Sequence, residues 1–261
     1  MTWVESASRS FRARHDSAAG DDAERVLHAL EAARERLSAY FPVALGGLTI
    51  VLHRSGPSLL LARPALAAAW VATAPAARRY VAGWAGREEL HMLEPRQLAS
   101  RASAVPGSRE MLELSAPALY ARRVIDESNP DLPSRTSPAR AHAELRWGWM
   151  LEGAARWFSG QTDYARPAIV RRLHEARPPK FPPGPRDALL LGGTVIDLLA
   201  REQGTQAAAE FACRLHPGGP RAALTRAFDG RPFRRTEAAW RSHLRRISSR
   251  DELDSAVSAR P

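Results

Sequence analysis

The stretch WMLEGAARWFSG, residues 149–160, is the part of the sequence that is most informative about the fold. The spacing of its apolar residues predicts a helix over residues 147–158. Glu152 is the only acid in the stretch, and Arg156 follows four residues later, an order that stabilises a helix by about 0.3–0.5 kcal/mol. Glu152 therefore has an ordinary structural role as half of an ion pair, and a catalytic role would require further functional groups close by.

A second helix is predicted upstream, over residues 109–125, but it contains Pro117. In the middle of a helix, proline removes one hydrogen bond and clashes with the preceding turn, at a cost of about 3 kcal/mol. Alternatively, Ser115 caps a helix that begins late, and Pro117 lies in its first turn, where proline is tolerated. The sequence leaves both arrangements open.

The strand signals lie in the first half of the chain. Apolar alternation, β-branched runs and flanking turn residues mark four segments. These segments are FRARHD (11–16), LTIVLH (48–53), YVAGWAG (80–86) and ELHML (89–93). A helix is predicted over 22–41, and broken helix is predicted over 57–80, where Pro64 and Pro75 interrupt an Ala- and Leu-rich segment.

The second half of the chain reads as mostly helical. Further helices are predicted over 187–202, 205–215 and 219–228, with a last one capped by Thr236. The fold class is therefore α+β, with a small mixed sheet and helices first and a mostly helical half after it. We expect an N-terminal subdomain over 1–108, a helical subdomain over 109–247 and a flexible tail over 248–261.

The composition is that of a globular protein, with 44% apolar and 25% charged residues. The longest stretch free of Asp, Glu, Lys and Arg, residues 37–53, is shorter than the roughly 20 residues of a membrane span. No secretory signal is visible at the N-terminus, so we expect a cytoplasmic protein without a membrane partner. Cys213 is the only cysteine, which excludes a disulfide within the chain.

The formal net charge is +10, from 38 basic and 28 acidic residues, and Lys180 is the only lysine. An excess of Arg and Ala is typical of GC-rich bacterial coding. Nine arginines nevertheless fall within residues 221–250, against Asp229 and Glu237. Such a cluster can bind nucleic acid or another anionic partner, which is one hypothesis for function.

The common nucleotide-binding and hydrolase motifs GxGxxG, GxxxxGK[ST] and GxSxG are absent from the sequence. No two of the eight histidines are spaced as HxH, HxxH or HExxH, so no sequence-local histidine metal site is predicted. We interpret Gly192 and Gly193 as a place of close helix packing rather than a phosphate loop. Trp149, Trp157 and Trp240 are interpreted as core residues.

The order of these segments resembles the peptidase MA-like branch of the gluzincin metallopeptidases. The matching pieces are the FRARHD and LTIVLH strands, GWAG followed by ELHML, a helix near 110–125, and WMLEGAARWFSG. The resemblance covers residues 11–247 and implies a zincin-like fold with a zinc cofactor. In that family the WxxEGxA segment supplies the glutamate zinc ligand, which would be Glu152.

The sequence departs from this family at the catalytic helix, which carries HExxH in active members. There the two histidines bind zinc and the glutamate acts as general base. Our best register places Ala116, Pro117 and Tyr120 at those positions, so none of them can do this chemistry. We therefore predict no metal site and no intact catalytic residue, with Glu152 as a relic.

The resulting hypothesis is a catalytically inactive, metallopeptidase-like protein whose cleft still binds a peptide or protein. In gluzincins an edge strand beside the catalytic helix pairs with the substrate backbone. The corresponding residues would be Gly83, Trp84, Ala85, Glu89 and His91. A second alternative is an active zinc enzyme with a site rebuilt from His91, His142 and Glu152. The sequence assigns no oligomeric state.

Overall fold

A computed structural model describes residues 2–134 and 137–258, with residues 250–258 described by their backbone alone. The fold is α+β, as predicted, with the strands in the first half. The strands are β1 (Trp3–Ala7), β2 (Phe11–Asp16), β3 (Leu48–His53), β4 (Gly83–Ala85) and β5 (Glu89–Leu93). They form one mixed sheet in the order β1-β2-β3-β5-β4.

The three central strands β2, β3 and β5 are parallel, and β1 and β4 run antiparallel at the two edges. In β2, Phe11 and Ala13 are buried while Arg12 and Arg14 are exposed, as the alternating sequence predicts. The short strand β4 pairs with β5, and Trp84 lies opposite His91.

Helices surround the sheet and form most of the second half. Their bounds are α1 (Gly20–Ser38), α2 (Gly56–Ala62), α3 (Ala65–Ala72), α4 (Pro95–Ser100), α5 (Ser108–Glu113), α6 (Ser115–Glu127), α7 (Pro138–Phe158), α8 (Gln161–Tyr164), α9 (Arg166–Leu173), α10 (Ala188–Gln203), α11 (Thr205–Ala212), α12 (Pro220–Ala227) and α13 (Phe233–Ser258). Within the described ranges, no helix combines the length and the apolar character that crossing a bilayer requires.

The buried apolar residues form one continuous core that extends from Phe11 in the sheet to Trp240 in α13. Two glycines allow α7 and α10 to pack closely, because a Cβ added to Gly153 would lie 2.8 Å from the Cα of Gly192. The interpretation of Gly192 as a close-packing residue is therefore confirmed. Trp149 is buried as well, and Trp157 is partly buried against the core.

Several helix boundaries differ from the predicted ones. The helix α7 begins at Pro138 rather than at residue 147, and α13 begins at Phe233, so that Thr236 lies inside it and is not its cap. The segment 109–125 is divided into α5 and α6, and Pro117 lies in the first turn of α6, as the second arrangement expects. Ser115 is the first residue of α6 and makes no capping hydrogen bond, so the expected Ser115 cap is not formed. A frayed tail is predicted from Ser248, whereas α13 continues to Ser258. Residues 259–261 lie outside the described part of the chain.

Candidate functional site

The candidate site lies where α6 passes between the edge strand β4 and the long helix α7. All residues of α6 from Ser115 to Asp126 are buried, including two arginines and an aspartate. Buried charged groups require charged or hydrogen-bonding partners to offset their lost hydration. The partners of these three residues therefore define what surrounds the helix.

On one side, α6 contacts β4 directly. Gly83 lies so close to the helix that a Cβ added to it would be 2.7 Å from Cδ1 of Leu119. One helical turn later, the Nε of Arg123 donates to the carbonyl oxygen of Arg87, in the turn between β4 and β5. Leu119 and Arg123 thus fix the edge strand against the helix.

On the other side, the guanidinium of Arg122 extends toward α7. Its Nη2 donates to both carboxylate oxygens of Glu144, at 2.6 and 2.8 Å. The same nitrogen lies 3.4 Å from Oδ1 of Asp126, and Nε lies 3.6 Å from Oε1 of Glu152. The Arg122 side chain is only 9% exposed, so a single buried cation is surrounded by three carboxylates.

Arg140, near the start of α7, completes this ion-pair cluster. Its Nη2 lies 2.9 Å from Oδ1 of Asp126, and its Nε donates to Oε1 of Glu144 at 2.8 Å. The α6–α7 contact is therefore held by a network rather than by one pair. We name Arg122, Asp126, Arg140, Glu144 and Glu152 the Arg122 cluster.

Electrostatics fix the charge states within the Arg122 cluster. Burial opposes ionisation of Glu144, but the guanidinium groups of Arg122 and Arg140 outweigh it and lower the pKa of that carboxyl from 4.5 to about 2. Burial likewise opposes the charged form of Arg122, yet Asp126, Glu144 and Glu152 raise the pKa of this arginine. Both groups are charged at neutral pH.

Glu152 is the least constrained acid of the cluster. It lies 3.6 Å from Arg122 and 3.8 Å from the Nη2 of Arg156, so both contacts are ion pairs beyond hydrogen-bonding distance. Its side chain is 35% exposed, while Arg122 and Arg156 are buried. The ion pair with Arg156 suggested by the sequence forms, and one carboxylate still faces solvent.

The predicted register of α6 is wrong by about half a helical turn. Tyr120 points away from α7, since its hydroxyl donates to the carbonyl oxygen of Leu45 at 2.8 Å and its ring packs edge-on against Phe11. Pro117 and Ala116 belong to the first turn and are buried. The residue opposite Glu152 is Arg122, and Ala118 lies one turn before it, at the i−4 position.

Part of the predicted peptide edge also needs correction. Gly83, Trp84 and Ala85 form β4 at the edge of the sheet, whereas Glu89 and His91 belong to β5, which is enclosed between β3 and β4. The parallel pairing of β5 with β3 explains this placement.

His91 instead belongs to a polar group on the sheet. Its Nδ1 lies 3.0 Å from Nε2 of His53, and its Nε2 lies 2.8 Å from a guanidinium nitrogen of Arg63 and 3.0 Å from Glu89. Burial, followed by the nearby His91 and Arg63, lowers the pKa of His53 from 6.5 to about 4. His53 is therefore neutral over most of the physiological range.

The structure does not bring together the alternative metal ligands. His142 is exposed on α7, whereas His91 is buried beside His53 on β5. In the described part of the chain, no group of three or more His, Cys, Asp or Glu residues is arranged to hold a metal ion. The Arg122 cluster itself is unsuited to zinc, because a fixed guanidinium lies beside Glu152 and repels a second cation.

The late arginine cluster lies largely on α13 and is partly neutralised. Arg231 pairs with Glu202 at 2.7 Å, and Arg241 pairs with Glu237 at 2.8 Å. Arg221 lies over the ring of Phe233. The remaining positive charge keeps anionic-partner binding as a prediction.

Cys213 is unsuited to act as a nucleophile. It borders a surface groove of about 920 Å³ together with Ser128, Phe211 and His216. Burial raises the pKa of the thiol to about 11, so the reactive thiolate is scarce at neutral pH.

Comparison of the chain with protein-family models, with curated proteins and with solved structures finds no match. The residue that sequence reasoning missed is Arg122. The sequence feature that could have indicated this role is the spacing of Arg122 and Asp126 on one helix face, followed by acidic residues on the next long helix that can pair with the arginine.

Proposed function

We propose that this chain is a non-catalytic, metallopeptidase-like protein that binds a peptide segment along β4. The observation that carries the proposal is the position of Arg122 beside Glu152, on the side of α6 that faces α7, while the other side of the same helix contacts the edge strand β4. In an active zincin-like site, the cation facing that glutamate would be zinc. Here a guanidinium supplied by α6 neutralises the carboxylates, so the two helices are held together without a metal.

The geometry of β4 supports peptide binding. This strand is at the edge of the sheet and runs antiparallel to β5. Hydrogen bonds flank it at Ala82 and Gly86, and the alternation of an antiparallel ladder then directs the N–H and C=O of Gly83 away from β5. An extended peptide can add to such an edge through main-chain hydrogen bonds.

The charge at Glu152 favours a peptide that carries a basic group close to this residue. Glu152 has no hydrogen bond to either of its arginine neighbours and is partly exposed, so it can accept one from a ligand. The other carboxylates of the cluster are engaged by Arg122 and Arg140. A lysine, arginine or free amino terminus of a peptide fits this single available acceptor.

The test uses the full chain and a library of short peptides, each made unmodified and with N-methylated alternate amides. We expect the unmodified peptides to bind without being cleaved and to slow amide exchange in β4. The N-methylated forms should bind at least about tenfold more weakly. Glu152→Gln should weaken binding of peptides with basic groups, and Glu113→Gln, on exposed α5 surface, serves as the control. Peptide cleavage, or protection confined to another surface, would refute the proposal.

A further inference from the structure

An unusual segment lies between β3 and β5. Residues 54–87 contain five arginines and no aspartate or glutamate, although acids make up 28 of the 261 residues. The arginines are Arg54, Arg63, Arg78, Arg79 and Arg87. The helices α2 and α3 both fall within this acid-free segment.

The helix α3 is apolar on every side but is not covered. Its sequence, ALAAAWVA, has no polar residue, and Leu66 is its only buried residue. Val71 is 66% exposed and Trp70 is 44% exposed. A helix of this composition is normally enclosed in a protein core or in lipid, because its apolar surface is otherwise left in water.

The preceding helix also carries exposed apolar side chains. Leu61 of α2 is 86% exposed, and Leu60 is exposed as well. We name Leu60, Leu61, Trp70 and Val71 the α2–α3 apolar face. Large exposed apolar groups in this number on two adjoining short helices indicate a binding surface rather than isolated surface residues.

We propose that the α2–α3 apolar face inserts into the surface of a membrane that contains anionic phospholipids. Of the five arginines, Arg54 and Arg63 pair with Asp16 and Glu89. The positive charge beside the face comes from Arg78, whose guanidinium lies 4.7 Å from the ring centroid of Trp70, and from Arg79, which follows it in the sequence. Tryptophan with an adjacent arginine is suited to the boundary between headgroups and acyl chains. The absence of acids over residues 54–87 favours anionic over neutral lipid.

The shape and charge of the face favour lipid over a second copy of the chain. Since α3 is exposed around most of its circumference, a flat protein surface would cover only one side of it, whereas acyl chains surround an inserted helix. A symmetric dimer through this face would also bring two acid-free, arginine-bearing segments together. This surface binding needs no membrane-spanning helix, but it departs from the expectation, drawn from the sequence, of a protein without a membrane partner.

The test is flotation of the full chain with two kinds of vesicle, one of pure phosphatidylcholine and one mixed with phosphatidylglycerol. The variants are Leu61→Asp with Val71→Asp, and the matched control Leu145→Asp, which changes a leucine 68% exposed on α7. We expect the wild type and the control to float with the anionic vesicles, and the double variant to lose about tenfold or more of that binding. All these substitutions are at exposed positions, and a thermal melt confirms folding.

Three outcomes would overturn the proposal. Equal flotation of all the proteins would assign the binding to general positive charge. If the wild type does not float with either vesicle, the α2–α3 apolar face has no affinity for lipid. Concentration-dependent dimerisation that the double variant abolishes, without vesicle binding by the wild type, would assign the face to a second copy.

Discussion

The Nε of Arg122 lies 3.6 Å from a carboxylate oxygen of Glu152, across the contact between α6 and α7. Glu152 is the residue that, by resemblance, would bind zinc, and Arg122 is a fixed cation of the protein itself. The two helices therefore meet through an internal charge pair, and on the other side of α6 Leu119 contacts the edge strand β4.

Removal of the Arg122 side chain should destabilise the protein strongly. The Arg122→Ala variant lacks the cation that Asp126, Glu144 and Glu152 share. Removing one partner of a buried ion pair costs about 3–5 kcal/mol of unfolding free energy. Urea unfolding measures this free energy. The matched control is Arg109→Ala, since Arg109 forms a 3.5 Å pair with Glu113 that is largely exposed, and its loss should cost less than about 1 kcal/mol. Similar costs for the two variants would contradict the importance of the Arg122 cluster.

Two glycines in α7 should respond to alanine in opposite directions. Gly153 packs against Gly192, so Gly153→Ala forces α7 and α10 apart and should cost about 1–3 kcal/mol. A Cβ at Gly148 meets nothing within 4 Å, so Gly148→Ala should stabilise the helix by about 0.5–1 kcal/mol. Thermal unfolding of both variants checks the pair. A stabilised Gly153→Ala variant would mean that the helices do not pack as described.

Acid should destabilise the fold through His53. Its folded pKa, about 4, lies below the value of about 6.5 expected in the unfolded chain, so the unfolded state binds the proton first. The stability present above pH 6.5 is therefore lost as the pH falls toward 4. The groups around His53 are His91, Arg63 and Glu89. The Glu89 carboxylate does not contact the His53 ring directly.

Unfolding free energies measured between pH 8 and pH 4.5 test this prediction. The variant His53→Gln should flatten the decline, whereas His142→Gln, which changes an exposed histidine on α7, should leave it unchanged. An identical decline in His53→Gln and in the wild type would assign the acid sensitivity to other groups.

The sequence predicted four of the five strands but missed β1 (Trp3–Ala7), and it predicted the faces of the helices less well. FRARHD and LTIVLH form β2 and β3 with the predicted boundaries, because alternation and flanking turn residues are local signals. The order of the strands is not local, so the enclosure of β5 between β3 and β4 was missed. Pairing with β3 across some 40 residues decides it.

The register of α6 was missed for a different reason. The polar side and the apolar side of α6 are both buried, so apolar periodicity alone did not show that Arg122, rather than Tyr120, faces α7. The partners that orient Arg122, above all Glu144, lie on another helix. Glu152 lies opposite Arg122 of α6, and the role that the resemblance implies for it stays a prediction.

The most direct test of the central claim is zinc content, measured by elemental mass spectrometry after dialysis of the untagged protein against trace zinc. The wild type should retain far less than one equivalent. The triple variant Ala118→His, Leu119→Glu, Arg122→His restores HExxH on the face opposite Glu152 and should retain close to one equivalent, and adding Glu152→Gln should weaken that binding. Stoichiometric zinc in the wild type, or no zinc in a folded triple variant, would contradict the claim that Arg122 occupies the place of a metal beside Glu152.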